Sequence, residues 1–273
     1  RPLAYIRRMS QGPMGGGGWR VPPGGVQGGF QGRQDMLAMF RLTPAIKWLL
    51  VSNVAVYVIE LVVVNWVKVP DMMQHLAVTP ARVVPGLEIW QLATALWMHH
   101  PQQPSHIIMN MFGLWMFGTL LEQRWGSTGF LKFYVLTGVF ANAVVVAAGW
   151  ISGTEDTMTL GASGAVYAVV VAFGLLFPNL RIWFFGLVPM KAKWMVIIVL
   201  GGTVLSYLAR APGISIAAHA GGMAISALLL TGWWNPANVY RSVRRLFLRR
   251  RLRVVERRMR DIDDRGDSGP MIH

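Results

Sequence analysis

The chain has 273 residues, of which 53% are hydrophobic and 14% charged, and its mean hydropathy is +0.42. A soluble chain of this length rarely carries so few charges, so the composition points to a polytopic membrane protein. The absence of cysteine excludes a disulfide framework, a thiolate zinc site and cysteine catalysis, while the net charge of +14 lies mainly in the terminal regions, where anionic lipid and the positive-inside rule account for it without nucleic acid.

Residues 1–40 hold the run Gly15 to Gly18, the pair Pro22-Pro23 and scattered arginines with no apolar period, and read as a flexible cytosolic arm. The chain opens on Arg1, which leaves room for a preceding targeting segment. A domain at 41–236 follows. Its first span is expected from Trp48 to Val67, long enough for a hydrocarbon core of about 30 Å. Residues 69–105 mix Pro70, Pro80, Pro85, Pro101 and Pro104 with Trp90 and Trp97, and read as a long loop partly in the interface. Further spans are expected at 106–122, 129–151, 162–177, 194–209 and 215–234, which makes an all-α membrane protein of six helices. Residues 237–273 form a basic tail.

Charge orients these spans. Arg33, Arg41 and Lys47 precede the first, Arg124 and Lys132 lie between the second and third, and Arg181, Lys191 and Lys193 lie between the fourth and fifth. With the arginine-rich tail, these segments are predicted to be cytosolic, and the connections with Asp71, Glu88, Glu155 and Asp156 to face outward. Both termini are then inside. His106, Asn110, Ser163 and His219 come to one depth, just below the outer surface, although the charge count contains no information about them.

Nucleophilic and ionisable side chains within apolar spans are costly and are functional hypotheses by default. Ser163, in Gly161-Ala162-Ser163-Gly164, is the candidate nucleophile, and His219, in Ala218-His219-Ala220-Gly221-Gly222, the candidate base that accepts its proton. No carboxylate lies on helix six or near Ser163, so a Ser-His dyad is expected without a buried acid. Tyr167, four residues after Ser163, is placed to pack on the imidazole. The backbone N–H of Ser163, the amide of Asn110 and the ring of His106 are the candidate oxyanion donors. Gly161, Gly164, Gly221 and Gly222 are expected to let helices four and six approach closely.

These residues resemble the rhomboid family of intramembrane serine proteases. The resemblance rests on His106-Ile-Ile-Met-Asn110, Glu122-Gln123-Arg124 with Gly126, Gly161-Ala162-Ser163-Gly164 with Tyr167, and Ala218-His219 with Gly222, in the family's order over residues 45–234. It implies Ser163 as nucleophile, His219 as base, and His106 and Asn110 in the oxyanion hole. It further implies cofactor-independent cleavage of single-span membrane proteins near their outer end, at a small residue, with substrate reaching the site from the lipid beside helix five. Two positions depart from the family. Trp90-Gln91 stands where the family has Trp-Arg, which predicts weaker anchoring of the first loop, and Ser226 ends the small-residue repeat of helix six where Gly is usual.

Other readings are weaker on the residues. His99-His100 lacks a His-Glu-x-x-His run, which argues against a metalloprotease. A transporter would show two repeated halves, and a catalytically silent rhomboid-like protein that binds membrane clients need keep neither Ser163 nor His219. Glu60 is expected to hydrogen-bond within the bundle, and Glu122 with Arg124 to form a polar clasp at the cytosolic end of helix two. Leu248, Leu252, Val255, Met259 and Ile262 make the tail an amphipathic helix suited to anionic lipid. The expected location is a prokaryotic cytoplasmic membrane.

Overall fold

A computed structural model of the chain describes residues 41–67, 71–184, 188–209 and 215–232. Except for Gly232, these belong to the first of two compact units, 1–231 and 232–273. The arm at 1–40 and the basic tail at 237–273, with its Leu248 to Ile262 spacing, lie outside the described residues.

Helix α1 spans Pro44–Val62, with proline in its first turn where a missing N–H is tolerated, and continues as a π-helical turn at Val63–Val67. Three short helices follow in the loop: α2 at Asp71–Leu76, α3 at Pro80–Val83 and α4 at Gln91–Thr94. Helix α5 is assigned over Pro104–Ser152, interrupted at Gly126, whose φ of 74° favours glycine. The chain doubles back there, because Gly118 in the first limb packs against the ring of Phe130 in the second. The limbs correspond to the spans expected at 106–122 and 129–151. Helix α6 covers Ser163–Leu176, α7 covers Ala192–Leu208 and α8 covers Ile216–Thr231.

One connection departs from an all-helical fold. Strands β1 (Arg181–Phe184) and β2 (Val188–Lys191) form an antiparallel hairpin between α6 and α7, with Arg181 opposite Lys191. Four residues per strand are too few to establish a period of two, and the aromatic and branched residues there merge with the apolar runs on either side.

The fold is mostly helical and, among the described residues, two helices are long and apolar enough to cross a membrane, Pro44–Val67 and Pro104–Ser152. Shorter apolar helices occur at Ser163–Leu176, Ala192–Leu205 and Ile216–Thr231. Large apolar side chains face outward, while several polar ones are enclosed within an otherwise apolar core. Trp48, Ile59, Leu205 and Leu208 are exposed, whereas Asn53, Glu60, Glu122 and Ser226 are buried. An apolar exterior around a core that encloses a few polar groups suits hydrocarbon surroundings, in which each polar group must find its partner inside the protein.

Helix α6 lies at the centre, with Ala165, Ala168, Val169, Ala172 and Phe173 fully buried in the main core. Its approach to α8 leaves no space for a side chain. A Cβ on Gly222 would stand 2.0 Å from the carbonyl oxygen of Gly164, and one on Gly164 would stand 3.2 Å from the carbonyl oxygen of Ala218 on α8 and 2.7 Å from Cβ of Ala141 on α5. Lower down, the Ser226 hydroxyl donates to the carbonyl of Ala168 at 2.8 Å. Serine at this departure from the family pattern is therefore an interhelical link.

Glu122 differs from the expected clasp. Its carboxylate accepts the N–H groups of Ala45 at 2.8 Å and Ile46 at 2.9 Å, together with the hydroxyls of Ser127 at 2.6 Å and Thr43. The first backbone N–H groups of a helix have no intrahelical acceptor, and the positive end of the dipole favours a carboxylate. The side chain therefore fastens α1 to the first limb of α5 near Gly126, and among the described residues no ion pair links it to Arg124.

The first loop is firmly held despite the glutamine. Gln91 is fully buried; its amide oxygen accepts the N–H of Thr79 at 2.8 Å, and its amide nitrogen donates to the carbonyl of Gln74 at 3.0 Å and to Glu88 at 2.6 Å. Trp90 Nε1 donates to the carbonyl of His75 at 2.9 Å. A neutral amide supplies both an acceptor and a donor, which an arginine at this position could not.

Two outcomes are expected. Glu122→Ala strands the Ala45 and Ile46 N–H groups and should lower stability by about 1–3 kcal/mol, read as a lower unfolding midpoint in detergent. Gly222→Ala forces a methyl group into backbone and should be destabilising by about 1–3 kcal/mol or more. Gly202→Ala, in open space on α7, is its control in the same melt.

Candidate active site

Ser163 is positioned by the segment before it. Val78 and Thr159 exchange two backbone hydrogen bonds, each of 2.8 Å, and the N–H of Gly161 donates to the carbonyl of Ala95 at 3.0 Å. The first loop thus holds the strand-like approach to α6 at two points. Gly161 has φ +122°, a conformation strained for other residues. After Ala162 the helix begins at Ser163, so the Ser163 N–H lies among the first-turn donors that lack an intrahelical acceptor.

His219 is the fourth residue of α8. Its Nε2 lies 3.0 Å from Ser163 Oγ, a distance at which imidazole can take the hydroxyl proton. The Tyr167 ring stacks on the imidazole with centroids 4.0 Å apart and planes 16° from parallel. Thr203 on α7 holds the other end of Tyr167: its hydroxyl shares hydrogen bonds with the Tyr167 hydroxyl at 2.8 Å and with the carbonyl of Val199 at 3.0 Å. His219 Nδ1 is buried and has no hydrogen-bond partner among the described residues. The sequence contains no acid between Asp156 and Glu256, so neither α6 nor α8 supplies a carboxylate. A flat aromatic contact is what orients this ring.

His106 and Asn110 stand one turn apart at the start of α5, and both line one cavity with Ser163, Tyr167 and His219. The cavity holds about 960 Å³, many times the roughly 30 Å³ share of one water. Asn110 is 6% exposed, and its amide Nδ2 has no acceptor among the described residues. It is a donor available to a group that enters the cavity. The His106 ring has two close neighbours: the His99 ring meets it edge-on with centroids 5.3 Å apart, and a Cβ on Gly161 would stand 2.7 Å from its Cε1. Burial, with the nearby His106 charge, pushes His99 down to about 4, so it is neutral at pH 7.

The structure brings together Ser163, His219, Tyr167, His106 and Asn110, which the sequence places on three separate segments. The glycines divide differently from the expectation. Gly164 and Gly222 form the contact between α6 and α8, but Gly161 packs against the His106 ring and Gly221 against Val144 and Ala141 of α5. Gly161 precedes the helix, so it cannot take part in helix packing. Sequence reasoning missed Thr203, which belongs to no motif in its span, and His99, whose only signal is the pair it makes with His100.

Residues 86–235 match the Rhomboid domain family, over half of the chain. The chain is 30% identical over 138 residues to "RHOMBOID-like protein 12, mitochondrial" of Arabidopsis thaliana, covering 45% of this chain and 41% of that protein. It is 29% identical over 138 residues to "Rhomboid protein 1, mitochondrial" of Saccharomyces cerevisiae, covering 49% and 38%. "RHOMBOID-like protein 6, mitochondrial" of Arabidopsis thaliana is 34% identical over 91 residues, or 33% and 27%. The matches thus span about two fifths or less of these relatives' lengths. Their names are mitochondrial, so the prokaryotic membrane expected from the sequence finds no support among them. A domain match of this extent, on a helical fold with an apolar exterior, makes the chain a member of the rhomboid family of membrane proteins, whose members are in general intramembrane serine proteases.

Proposed function

We propose that this chain is an intramembrane serine endopeptidase that cleaves single-span membrane proteins near the outer end of their transmembrane segments. The observation that carries the reading is the 3.0 Å contact between Ser163 Oγ and His219 Nε2 inside a cavity also lined by Asn110 and His106. The limbs of α5 with α1, α6, α7 and α8 are read as six crossings with both termini on the cytosolic side, on the strength of the charge asymmetry of their connections. The basic tail is read as lying on anionic lipid, on its charge alone.

In this reading His219 Nε2 accepts the Ser163 proton as Oγ attacks the scissile carbonyl. The negative oxygen that develops is met by the Asn110 amide, the Ser163 N–H at the start of α6, and His106. The protonated imidazole then gives its proton to the leaving amine, and water, deprotonated by the same nitrogen, hydrolyses the acyl-enzyme. Tyr167 keeps the imidazole facing Ser163 throughout, where a carboxylate would serve in a triad. No step calls for a metal or cofactor.

The test is cleavage of a model transmembrane substrate in proteoliposomes, paired with a fluorophosphonate probe in detergent. Ser163→Ala should abolish both cleavage and labelling, and His219→Ala should abolish cleavage; retained cleavage in either variant would refute the dyad. Asn110→Ala should lower kcat by about a hundred- to a thousand-fold with KM little changed. A change confined to KM would make Asn110 a substrate contact instead.

A further inference from the structure

Helix α1 contributes no side chain to the cavity, yet it carries a carboxylate that is 1% exposed. A charge-bearing group buried in a span is costly and asks for a reason. Asn53, Tyr57 and Glu60 fall on one buried face of α1 at helical spacing. Around this face, α1 holds the chain segment that leads into α5. Trp97 Nε1 donates to Ser52 Oγ at 3.0 Å, and the Tyr57 hydroxyl donates to the carbonyl of Pro101 at 3.2 Å. Between them, the N–H of His99 donates to the Glu60 carboxylate, with both oxygens at 3.1 Å.

His99 is fully buried, and its side chain reaches the site. Its Nδ1 lies 3.2 Å from the carbonyl of Trp97, and its ring meets His106 edge-on. Gly161 also approaches His106, close enough that a Cβ there would lie 2.8 Å from Nε2. His106 is therefore in contact both with a glycine backbone and with the His99 ring. The His99 backbone is in turn fixed by Glu60.

We propose that Glu60 is a positioning residue for the oxyanion hole, holding His106 in place through the backbone and ring of His99. The inference rests on the protease reading and extends it to a helix that touches no substrate. Two oxygens straddling one N–H resist displacement of residue 99 in either direction, which suits an anchor for a ring. Glu60 takes no part in proton transfer, since Nε2 of His219 already faces Ser163.

The experiment is a double-mutant cycle in the full chain, with cleavage of the model substrate measured in phosphatidylcholine vesicles. Glu60→Leu should lower kcat at least about tenfold, as displaced catalytic groups do, with KM changed less than about twofold. In the His106→Ala background the same substitution should lower kcat by less than about twofold, because the group it positions is gone. Glu60→Gln keeps an acceptor for the His99 N–H and should restore kcat to within about threefold of the parent. An equal loss in both backgrounds, or a loss confined to KM, overturns the proposal and leaves Glu60 a general stabiliser. Where Glu60→Leu does not fold, Glu60→Asp, which withdraws the carboxylate by one methylene, runs the same cycle under the same criteria.

A second measurement is independent of turnover. Diethyl pyrocarbonate modification, mapped by mass spectrometry, should leave His99 unmodified in the parent chain and in Glu60→Gln, and should modify it in Glu60→Leu or Glu60→Asp. Continued protection of His99 in those variants overturns the proposed anchor whether or not the chain cleaves. A parent chain with no Ser163-dependent cleavage would instead defeat the protease reading.

Discussion

Contact between α6 and α8 without an intervening side chain is the constraint on which the site depends. Gly222 faces the carbonyl of Gly164 so closely that a Cβ would fall 2.0 Å from its oxygen. Glycine on both helices is what permits this, because association in lipid relies on close packing and carries little hydrophobic drive. One turn above the Gly222 contact, the same approach brings His219 Nε2 to 3.0 Å from Ser163 Oγ. Below it, Ser226 ties α8 to the carbonyl of Ala168.

Polar groups are kept inside this bundle because they have partners there. Glu122 receives two N–H groups from the start of α1, Glu60 receives the N–H of His99, and Tyr167 is held by Thr203. A buried polar group without a partner is expensive in a low-dielectric interior, so satisfied groups of this kind make the arrangement rigid as well as stable. Asn110 Nδ2 and His219 Nδ1 in the site are exceptions among the described residues, as are Asn53 Oδ1, His99 Nε2 and the Tyr134 hydroxyl outside it. The first lines the cavity as an available donor. The second lies on an imidazole whose orientation comes from stacking on Tyr167.

The loop between α1 and α5 has a larger part in the site than its irregular appearance suggests. It pairs with Thr159 through Val78, receives the Gly161 N–H at Ala95, and carries His99 to the edge of His106. Gln91, buried beneath it, connects three of its segments. The loop and the first helix together hold the chain at His99 and Gly161, although neither contains Ser163, His219 or Asn110.

The amino-acid sequence by itself determined the membrane class, the positions of the apolar segments and the residues of the site. Composition and apolar run length are local properties, and a serine or histidine within such a run stands out against its neighbours. The motif spacing around Ser163, His219, His106 and Asn110 was legible for the same reason. Tertiary structure alone decided which glycine meets which partner: Gly161 serves His106 and Gly221 serves α5, while only Gly164 and Gly222 form the contact between α6 and α8. It also decided that Glu122 fastens α1, that Gln91 anchors the loop its departure from the family pattern seemed to weaken, and that residues 181–191 pair as a hairpin. Some of these partners lie far apart along the chain, as Glu122 and Ala45 do, and even where they are nearer, as in the hairpin, an acceptor or a gap of the right size is created only when segments fold against one another. Their pairing is a property of distance in space, to which hydropathy and spacing along one segment are blind.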